Sequence, residues 1–446
     1  MVDLLPIWMV LALVVLLFTG YPVALVLVGV TAVFTAVAIG LGIMAPVQLS
    51  IFSLRVYGLI VDNLIFPAVP PLIFMGLALA RSGQVATLFA VIGHLLRSVP
   101  GCLPITALLI GVLLAPTAGL IGAAVGLLTV VTLPPMLAQG YPPSVASASV
   151  AAAGSLGVIL PPAIMLFFLA DLAGTPIMGA FSGILLPAAL LLTGYFLYFA
   201  WRGGAPATVL ASVSPSPTRG RALLAVAGPI FVIASVLTSI ALGWATPSQS
   251  GSFGALAAFA LMAVTRTLTW PRLKDILTET AYVTAMVFLI IIAANMFSFV
   301  FRYLDGDGLI ARFLASLGLG DWGTLLFILA LIFLLGFFID WLEIVLITLP
   351  IFVPVIEKLD FAAHVGEPMM VKVWIATLFA LVLQTSFLTP PFGFALFFVR
   401  GAAPPSVTMS DIYRGIVPIV LIQLCVVALV LMLPRLTTVL PQMLIN

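Results

Sequence analysis

Long apolar runs separated by short polar stretches extend along almost the whole chain. A membrane-spanning helix needs about 20 predominantly apolar residues, and runs of that length predict helices rather than the shorter alternating strands of a membrane barrel. Together with the two stretches described next, the pattern predicts an all-α polytopic membrane protein. The predicted crossings are 5–19, 22–43, 64–81, 143–170, 177–201, 222–243, 248–265, 276–301, 371–399 and 412–434.

Two further apolar stretches, 101–138 and 323–357, are too long for one crossing and are interrupted in the middle. The first contains APTAGLIGAAVG at 115–126, and the second contains FFIDWLEI at 337–344. Each predicts a re-entrant hairpin that enters the membrane, turns and leaves on the same side. Non-helical backbone at that depth is tolerated only where protein or a wet cavity surrounds it.

The stretch QTSFLTPPFGF at 384–394 interrupts a predicted crossing with polar residues, two prolines and a glycine. Proline has no N–H and disfavours a helical residue before it, so we expect the helix to stop near Leu388 and restart after the prolines. The stop frees carbonyl oxygens, which suit a hard cation, and the restart presents N–H groups, which suit an anion. An ordinary proline kink is the alternative.

The first half contains the same device in GSLGVILPP at 154–162. Glycines loosen the chain there, Ser155 offers a hydroxyl, and the prolines force a break. Breaks at matching places in two halves of a chain indicate a secondary transporter. The candidate substrate-binding residues at the two breaks are Ser155, Pro161, Pro162, Thr389, Pro390, Pro391 and Gly393. The candidate metal ligands there are Gly154, Gly157, Gln384, Thr385 and Ser386.

The chain divides at a Gly-, Pro- and Ser-rich linker, 202–221, into halves 1–201 and 222–446. Both halves show the same order of helices, a short amphipathic arm (84–97 or 308–319), a hairpin, an interrupted helix and a final helix. LPPAIMLFF in the first half corresponds to TPPFGFALFF in the second. Each half is predicted to make five full crossings, and because this number is odd, the halves form an inverted repeat.

Composition agrees with a membrane protein, because 64% of the 446 residues are hydrophobic and only 7% are charged. Soluble domains average about 25% charged residues. The net charge of +2 argues against nucleic-acid binding, and two distant cysteines do not indicate a disulfide framework. Ten of the 16 Lys and Arg residues lie on one predicted side, which favours a cytoplasmic linker under the positive-inside rule.

Asp340 and Glu343, in the second hairpin, are three residues apart and share a helix face. Acids at membrane depth are costly and usually functional, but a tip that reaches water would simply solvate them. An intramembrane enzyme using this pair as acid and base is a further alternative. Neither His94 nor His364 lies at mid-membrane, no metal-ligand spacing occurs and no channel filter motif is visible.

Several stretches resemble the large membrane subunit of tripartite ATP-independent periplasmic (TRAP) transporters, and they occur in the order found in that family. They cover nearly the whole chain. They are PPLIFMGLALARSG (70–83), LLAPTAGLIGAAVG (113–126), LPPMLAQGY (133–141), GSLGVILPP (154–162), GWATPSQSGSFGAL (243–256), FFIDWLEIVLITLPIFVP (337–354), QTSFLTPPFGFALFF (384–398), RGAAPP (400–405) and DIYRGIVP (411–418).

The resemblance implies an elevator-type, sodium-driven transporter in the bacterial inner membrane. It implies two partners, a periplasmic substrate-binding protein and a separate small membrane subunit of about four helices. It also implies sodium sites where each hairpin tip meets its broken helix. One site would use Thr117, Gly119, Gly154, Ser155 and Gly157, and the other Asp340, Gln384, Thr385, Ser386 and Thr389.

The substrate implied by the resemblance is an organic acid anion, such as a 2-oxo acid or a lactate-like carboxylate. This chain departs from many relatives in its first hairpin tip, where APTAG has a single hydroxyl, and in having Ala163 and Gln249. The first ion site is therefore expected to depend more on carbonyl oxygens. A transporter of the same architecture that needs no binding protein is the main alternative.

Overall fold

The structure is a computed structural model, and it describes residues 4–63, 66–114, 121–204, 219–391 and 393–445. Every regular element in these ranges is helical, which confirms the predicted all-α class. The α-helices up to the linker are α1 (Leu5–Leu17), α2 (Val23–Gly40), α3 (Ser50–Tyr57), α4 (Val69–Ala80), α5 (Gln84–Leu95), α6 (Cys102–Leu114), α7 (Ile121–Ala138), α8 (Pro143–Ile159), α9 (Ile164–Ala173) and α10 (Ile177–Arg202). Those after it are α11 (Arg219–Ala241), α12 (Pro247–Val264), α13 (Trp270–Tyr303), α14 (Gly306–Leu317), α15 (Gly320–Leu335), α16 (Trp341–Ile356), α17 (Ala362–Val365), α18 (Pro368–Ser386), α19 (Phe394–Ala402), α20 (Met409–Met432) and α21 (Arg435–Ile445).

Six helices of the described chain, α2, α10, α11, α13, α18 and α20, are long and apolar enough to cross a membrane. Two bent pairs pass the same test as single crossings: Phe66–Ala80 with Gln84–Leu95, at 62°, and Pro143–Ile159 with Ile164–Ala173, at 44°. The sequence predicts ten crossings, more than these six helices and two bent pairs, because an apolar run can extend past the residue at which a helix ends. Helix α1 has only 13 residues, about 20 Å of helix, and α12 opens with a polar turn.

Both predicted hairpins appear as pairs of helices in contact. Helices α6 and α7 form hairpin 1, and α15 and α16 form hairpin 2. The tip of hairpin 1, residues 115–120, lies outside the described residues, as does 205–218 of the linker. The amphipathic arms correspond to α5 and α14. The inverted relation between the halves stays a prediction.

The helices fall into two packed groups. In the peripheral group, α4 packs on α12, α12 on α11, and both α2 and α4 on α13, with α1 beside α2. The central group comprises α6–α10, α15, α16 and α18–α21, in which α8 contacts α6, α7 and α20, and α18 contacts α9, α15 and α20. The two arms, α5 and α14, contact helices of both groups, and the groups also meet directly where α13 packs against α16.

Small residues bring the helices of the central group close together. A Cβ added at Gly111 of α6 would lie 2.5 Å from the carbonyl oxygen of Ala153 in α8. Gly415 of α20 lies in the same way against the backbone of Ser144. Helix α8 is rich in Ala, Ser and Gly and is almost completely buried. Small side chains allow this close packing, which is the main source of helix association inside a membrane.

Three elements have no counterpart in the predicted crossings. Helices α3 and α17 are short, and α21 is an 11-residue helix that packs along α10. Helix α13 begins at Trp270, well before the predicted start at 276, because its first turns are polar. A search for apolar runs cannot detect such helices, which depend on packing or on solvent-facing turns.

Candidate functional site

The first break separates α8 from α9 at residues 160–163. Helix α8 ends at Ile159, Leu160 and Ala163 are extended, and α9 begins at Ile164. Pro161 and Pro162 are buried and joined by a cis peptide bond. The sequence therefore placed this interruption correctly, at the residues that cannot donate a backbone hydrogen bond.

The predicted ligands before the first break are all buried. The Ser155 hydroxyl donates to the Ala152 carbonyl at 3.1 Å, so its oxygen lone pairs remain available to a cation. Gly154 lies directly against Val125 of α7, and no larger residue fits there. Gly157 is buried on the same helix. Thr117 and Gly119, the predicted ligands from hairpin 1, lie outside the described residues.

The second break covers residues 387–393, between α18 and α19. Helix α18 ends at Ser386, close to the predicted stop near Leu388, and α19 begins at Phe394. Pro390 and Pro391 are joined by a cis peptide bond, and Gly393 has a left-handed φ of 41°, which favours glycine.

Backbone hydrogen bonds hold the second break in a defined shape. The amide of Ala395 donates across it to Phe387 O at 3.2 Å, and that of Leu388 donates to Thr385 O at the same distance. The Tyr413 hydroxyl of α20 donates to the Pro391 carbonyl. The Phe387 and Pro391 carbonyls thus accept one such bond each and keep a second lone pair, whereas Thr385 O also accepts from the Thr389 hydroxyl.

Three hydroxyl groups at the second break donate to carbonyls of their own helix. The distances are 2.7 Å from Thr385 to Leu381, 2.7 Å from Ser386 to Leu383 and 2.8 Å from Thr389 to Thr385. Thr385 and Ser386 are buried, and Thr389 is partly exposed. Because each hydroxyl donates its proton inwards, its oxygen can face a cation.

Gln384 is fully buried and unsatisfied. Its side chain is 0% exposed, and neither its Oε1 nor its Nε2 has a hydrogen-bond partner among the described residues. A buried polar group without a partner costs about 1–3 kcal/mol. An unpaired amide beside the second break is therefore the strongest sign in this region of a ligand that completes the site.

The turn of hairpin 2 lies on the end of α18. Gly336 packs so closely against Ser386 that an added Cβ would overlap it. Asp340 occupies the N-cap of α16 and Glu343 its first turn. One oxygen of each carboxylate, Asp340 Oδ1 and Glu343 Oε2, is buried without a hydrogen-bond partner in the described part of the chain. The structure thus brings the predicted acid-bearing turn to the second break.

Each hairpin also contacts the broken helix of the other half. The start of α7 lies on the ring of Phe398 in α19, where Gly122 leaves room for it. At the other hairpin, Trp341 of α16 lies 6.0 Å from the Phe168 ring of α9, between ring centroids. Each broken helix is therefore packed against hairpins from both halves of the chain.

Sequence reasoning did not identify Gly336, Phe398 or Tyr413 as parts of this region. Gly336 and Phe398 matter through tertiary contacts that no local pattern reveals. Tyr413 carried a weak signal, since DIYRGIVP belongs to the stretches that resemble TRAP subunits. Its hydroxyl now explains why a tyrosine stands one turn into α20.

Two helices that break at paired prolines and pack against hairpins from both halves are typical of secondary transporters. Residues 10–436 match the model of the family described as "Tripartite ATP-independent periplasmic transporter, DctM component", and the chain belongs to this family. This confirms the resemblance to TRAP large subunits. The protein is a multi-pass inner-membrane permease and not an enzyme.

Curated relatives match along almost their full length. The chain is 26% identical to the sialic acid TRAP transporter large permease protein SiaM of Vibrio cholerae, covering 96% of each protein. It is 26% identical to the C4-dicarboxylate TRAP transporter large permease protein DctM of Rhodobacter capsulatus, covering 97% of this chain and 98% of the relative. The fold is similar to that of the YdaH transporter of Alcanivorax borkumensis, with a TM-score of 0.61 at 16% identity, over 96% of this chain and 97% of the other.

Proposed function

We propose that this permease imports an organic acid anion across the inner membrane, driven by a sodium gradient. The observation that carries the proposal is the crosswise packing of both hairpins on the two helices that break at Pro161–Pro162 and Pro390–Pro391. A broken helix offers oxygen ligands at the end of one segment and N–H groups at the start of the next. One such region can hold a cation and an anion together.

The sodium part of the proposal is supported by the oxygen groups before each break. At the second break these are Thr385, Ser386, the unpaired amide of Gln384 and the carboxylate of Asp340 on the adjoining turn. Hard cations prefer such ligands. The first site would use Gly154, Ser155 and Gly157. Hairpin 1 would contribute Thr117 and Gly119.

The substrate part is supported by the helices that begin after the breaks. Helix α9 starts at Ile164 and α19 at Phe394, and helix N-termini favour carboxylates. Thr389 and the prolines of both breaks would line the substrate. Three relatives are named for the organic anions sialic acid, C4-dicarboxylate and isethionate, and two others are named for ectoine. We propose a smaller carboxylate, of the 2-oxo acid or lactate type.

An elevator movement is supported by the division into two groups. Both hairpins and both broken helices belong to the central group, so they can move as one body against the peripheral helices. The arms α5 and α14 contact both groups and would bend or slide during the movement.

The partners proposed are a small membrane subunit and a periplasmic binding protein. The family description names a tripartite transporter of which this chain is one component. A relative in Oleidesulfovibrio alaskensis is named the isethionate TRAP transporter permease protein DctMQ, and the match, 25% identical, covers 94% of this chain but only 63% of that protein. The unmatched part of that relative leaves room for a fused second subunit.

The test is uptake of labelled pyruvate and lactate into vesicles that contain this permease with its small subunit. A binding protein and an inward sodium gradient are supplied or omitted separately, with potassium as the control cation. We expect uptake only when both are present. Equal uptake in sodium and potassium would contradict sodium coupling, and full uptake without a binding protein would favour the alternative transporter of the same architecture.

A further inference from the structure

The carbonyl group of Pro350 lacks its usual partner within α16. In an α-helix, a carbonyl accepts a hydrogen bond from the N–H group four residues later. Here that residue is Pro354, which has no N–H, and both prolines lie inside the helix. Hairpin 2 therefore presents a backbone acceptor that its own helix cannot satisfy.

Arg302, in the last turn of α13, supplies the missing donor. Its guanidinium NH2 donates to the Pro350 carbonyl oxygen at 2.5 Å. A hydrogen bond from a charged donor is stronger than one between neutral groups. Because α13 belongs to the peripheral group and α16 to the central group, this bond joins the two bodies directly.

Nearby charges act on Arg302 in opposite directions. Asp307 of α14 lies 3.5 Å from Arg302 Nε and attracts it. Arg55, whose guanidinium lies 4.5 Å from the centroid of the Phe299 ring, one turn earlier on α13, repels it. Burial, followed by the charge of Arg302, lowers the pKa of Arg55. The Arg302 side chain is 42% exposed, so water can replace the carbonyl when the bond breaks.

We propose that Arg302 is a positioning residue that pins hairpin 2 to α13 and is released when the central group moves. The acceptor of this hydrogen bond is the Pro350 carbonyl oxygen, which is free because Pro354 has no N–H. The bond therefore joins one side chain to one backbone atom. This proposal depends on the elevator movement proposed above. In this proposal, Arg302 stabilises the arrangement of hairpin 2 against α13 that is seen in this structure.

The test measures how often hairpin 2 leaves this arrangement. Phe18, after α1, and Phe338, in the turn of hairpin 2, have ring centroids 5.0 Å apart, which marks a second contact between the groups. Both are changed to cysteine in a chain with Cys102→Ala and Cys425→Ala, and cross-linking by a reducible bifunctional thiol reagent is timed without substrate. We expect Arg302→Met to slow cross-linking roughly fivefold to tenfold, with Arg302→Lys between Arg302→Met and the parent.

The matched control is Arg312→Met. Arg312 pairs with Asp305 at 2.9 Å, and its side chain is 66% exposed. We expect it to leave the cross-linking rate unchanged. Equal rates for Arg302→Met and Arg312→Met would overturn the proposal.

A second variant tests the acceptor without touching the arginine. Pro354→Ala gives the Pro350 carbonyl an N–H partner inside α16, so it should compete with Arg302 and also slow cross-linking. An unchanged rate in this variant would contradict the role of Pro354. If the cross-linked parent still transports at full rate, the elevator movement fails while the measured contact stands, so the two failures are distinguishable.

Discussion

At the scale of single residues, the polar groups at the second break are of two kinds. Thr385, Ser386 and Thr389 satisfy their protons on their own helices, whereas the amide of Gln384 is buried with no partner in the described residues. The hydroxyl groups are therefore stable without a ligand. The unpaired amide of Gln384 lowers the stability of the fold until a ligand binds it. Its energetic cost is therefore linked to ligand binding at the second break.

Replacing Gln384 with leucine separates these two effects. Gln384→Leu keeps a similar volume and removes the unpaired amide, so we expect unchanged or higher thermal stability and a roughly tenfold or larger loss of sodium-dependent uptake. The matched control is Gln423→Leu, since Gln423 is equally buried but lies in α20, where its amide faces the Tyr195 hydroxyl. Equal losses of uptake in both variants would mean that the amide has no special role.

The Thr385 hydroxyl is tested against an equivalent group on the same helix. Thr385→Val removes one oxygen ligand, and we expect the sodium concentration for half-maximal uptake to rise roughly tenfold. Thr377 is buried and donates to Val373 O at 2.9 Å, as Thr385 does to Leu381 O, so Thr377→Val should change this value less than about twofold. Matching shifts in the two variants would assign Thr385 to packing.

The sequence was most informative about residues whose role is local. It placed Gln384, Thr385 and Ser386 beside a break because proline chemistry acts on neighbouring residues. It did not reveal the contact of Gly336 with Ser386, because these residues are 50 positions apart and meet only after the hairpin packs. Roles for the predicted ligands in ion or substrate binding remain predictions.

At the scale of elements, the breaks were predictable and the ends of other helices were not. Helix α8 ends at Ile159 and α18 at Ser386, each shortly before a pair of prolines. By contrast, α1 is shorter than its apolar run and α21 is an added helix, because both depend on neighbouring helices rather than on composition. Paired prolines thus determine where a neighbouring helix stops, whereas packing against other helices determines how far the remaining helices extend.

Removing the prolines of the second break tests whether the interruption itself is needed. Proline disfavours a helix interior by about 3 kcal/mol relative to alanine, so Pro390→Ala with Pro391→Ala should allow α18 and α19 to join. We expect uptake below about a tenth of the parent value, since the exposed backbone groups are then used within the helix. Undiminished uptake would contradict a functional break.

The control for this double variant is Pro229→Ala. Pro229 lies inside α11, which continues through it without a break. We expect uptake close to the parent value, because the helix is already continuous there. Comparable losses in both variants would indicate a general effect of removing membrane prolines.

At the scale of the whole molecule, the two helix groups meet where α13 packs against α16. Besides Arg302 with Pro350, the Asn63 amide donates to Asp171 of α9 at 3.1 Å, and Phe66 lies 5.6 Å from the ring of Phe168. The residues themselves predicted the hairpins and breaks, whereas a moving group built from them was implied only by the elevator-type resemblance, because this division arises from long-range packing. Each of these contacts must break, and be replaced by others, if the central group moves relative to the peripheral group.

Joining the groups covalently tests the movement. Cross-linking Phe18→Cys to Phe338→Cys should lower uptake roughly tenfold or more, and reduction of the linker should restore it, because the hairpin is held to α1. The control pair is Trp322→Cys in α15 with His364→Cys in α17, whose parent rings lie 4.8 Å apart; α17 packs on α18, so both positions belong to the central group. Its cross-link should leave uptake unchanged. Full uptake with the first pair cross-linked would exclude a large displacement.

The crosswise packing of the hairpins has a consequence for biosynthesis. Hairpin 1 and α8 leave the ribosome long before α19, whose Phe398 covers the start of α7. Chains generally fold from the N-terminus as they are made. The first half must therefore remain in the bilayer with the start of α7 still uncovered until α19 has been made. Nascent chains arrested before Phe394 should consequently be especially sensitive to proteases and dependent on insertion chaperones.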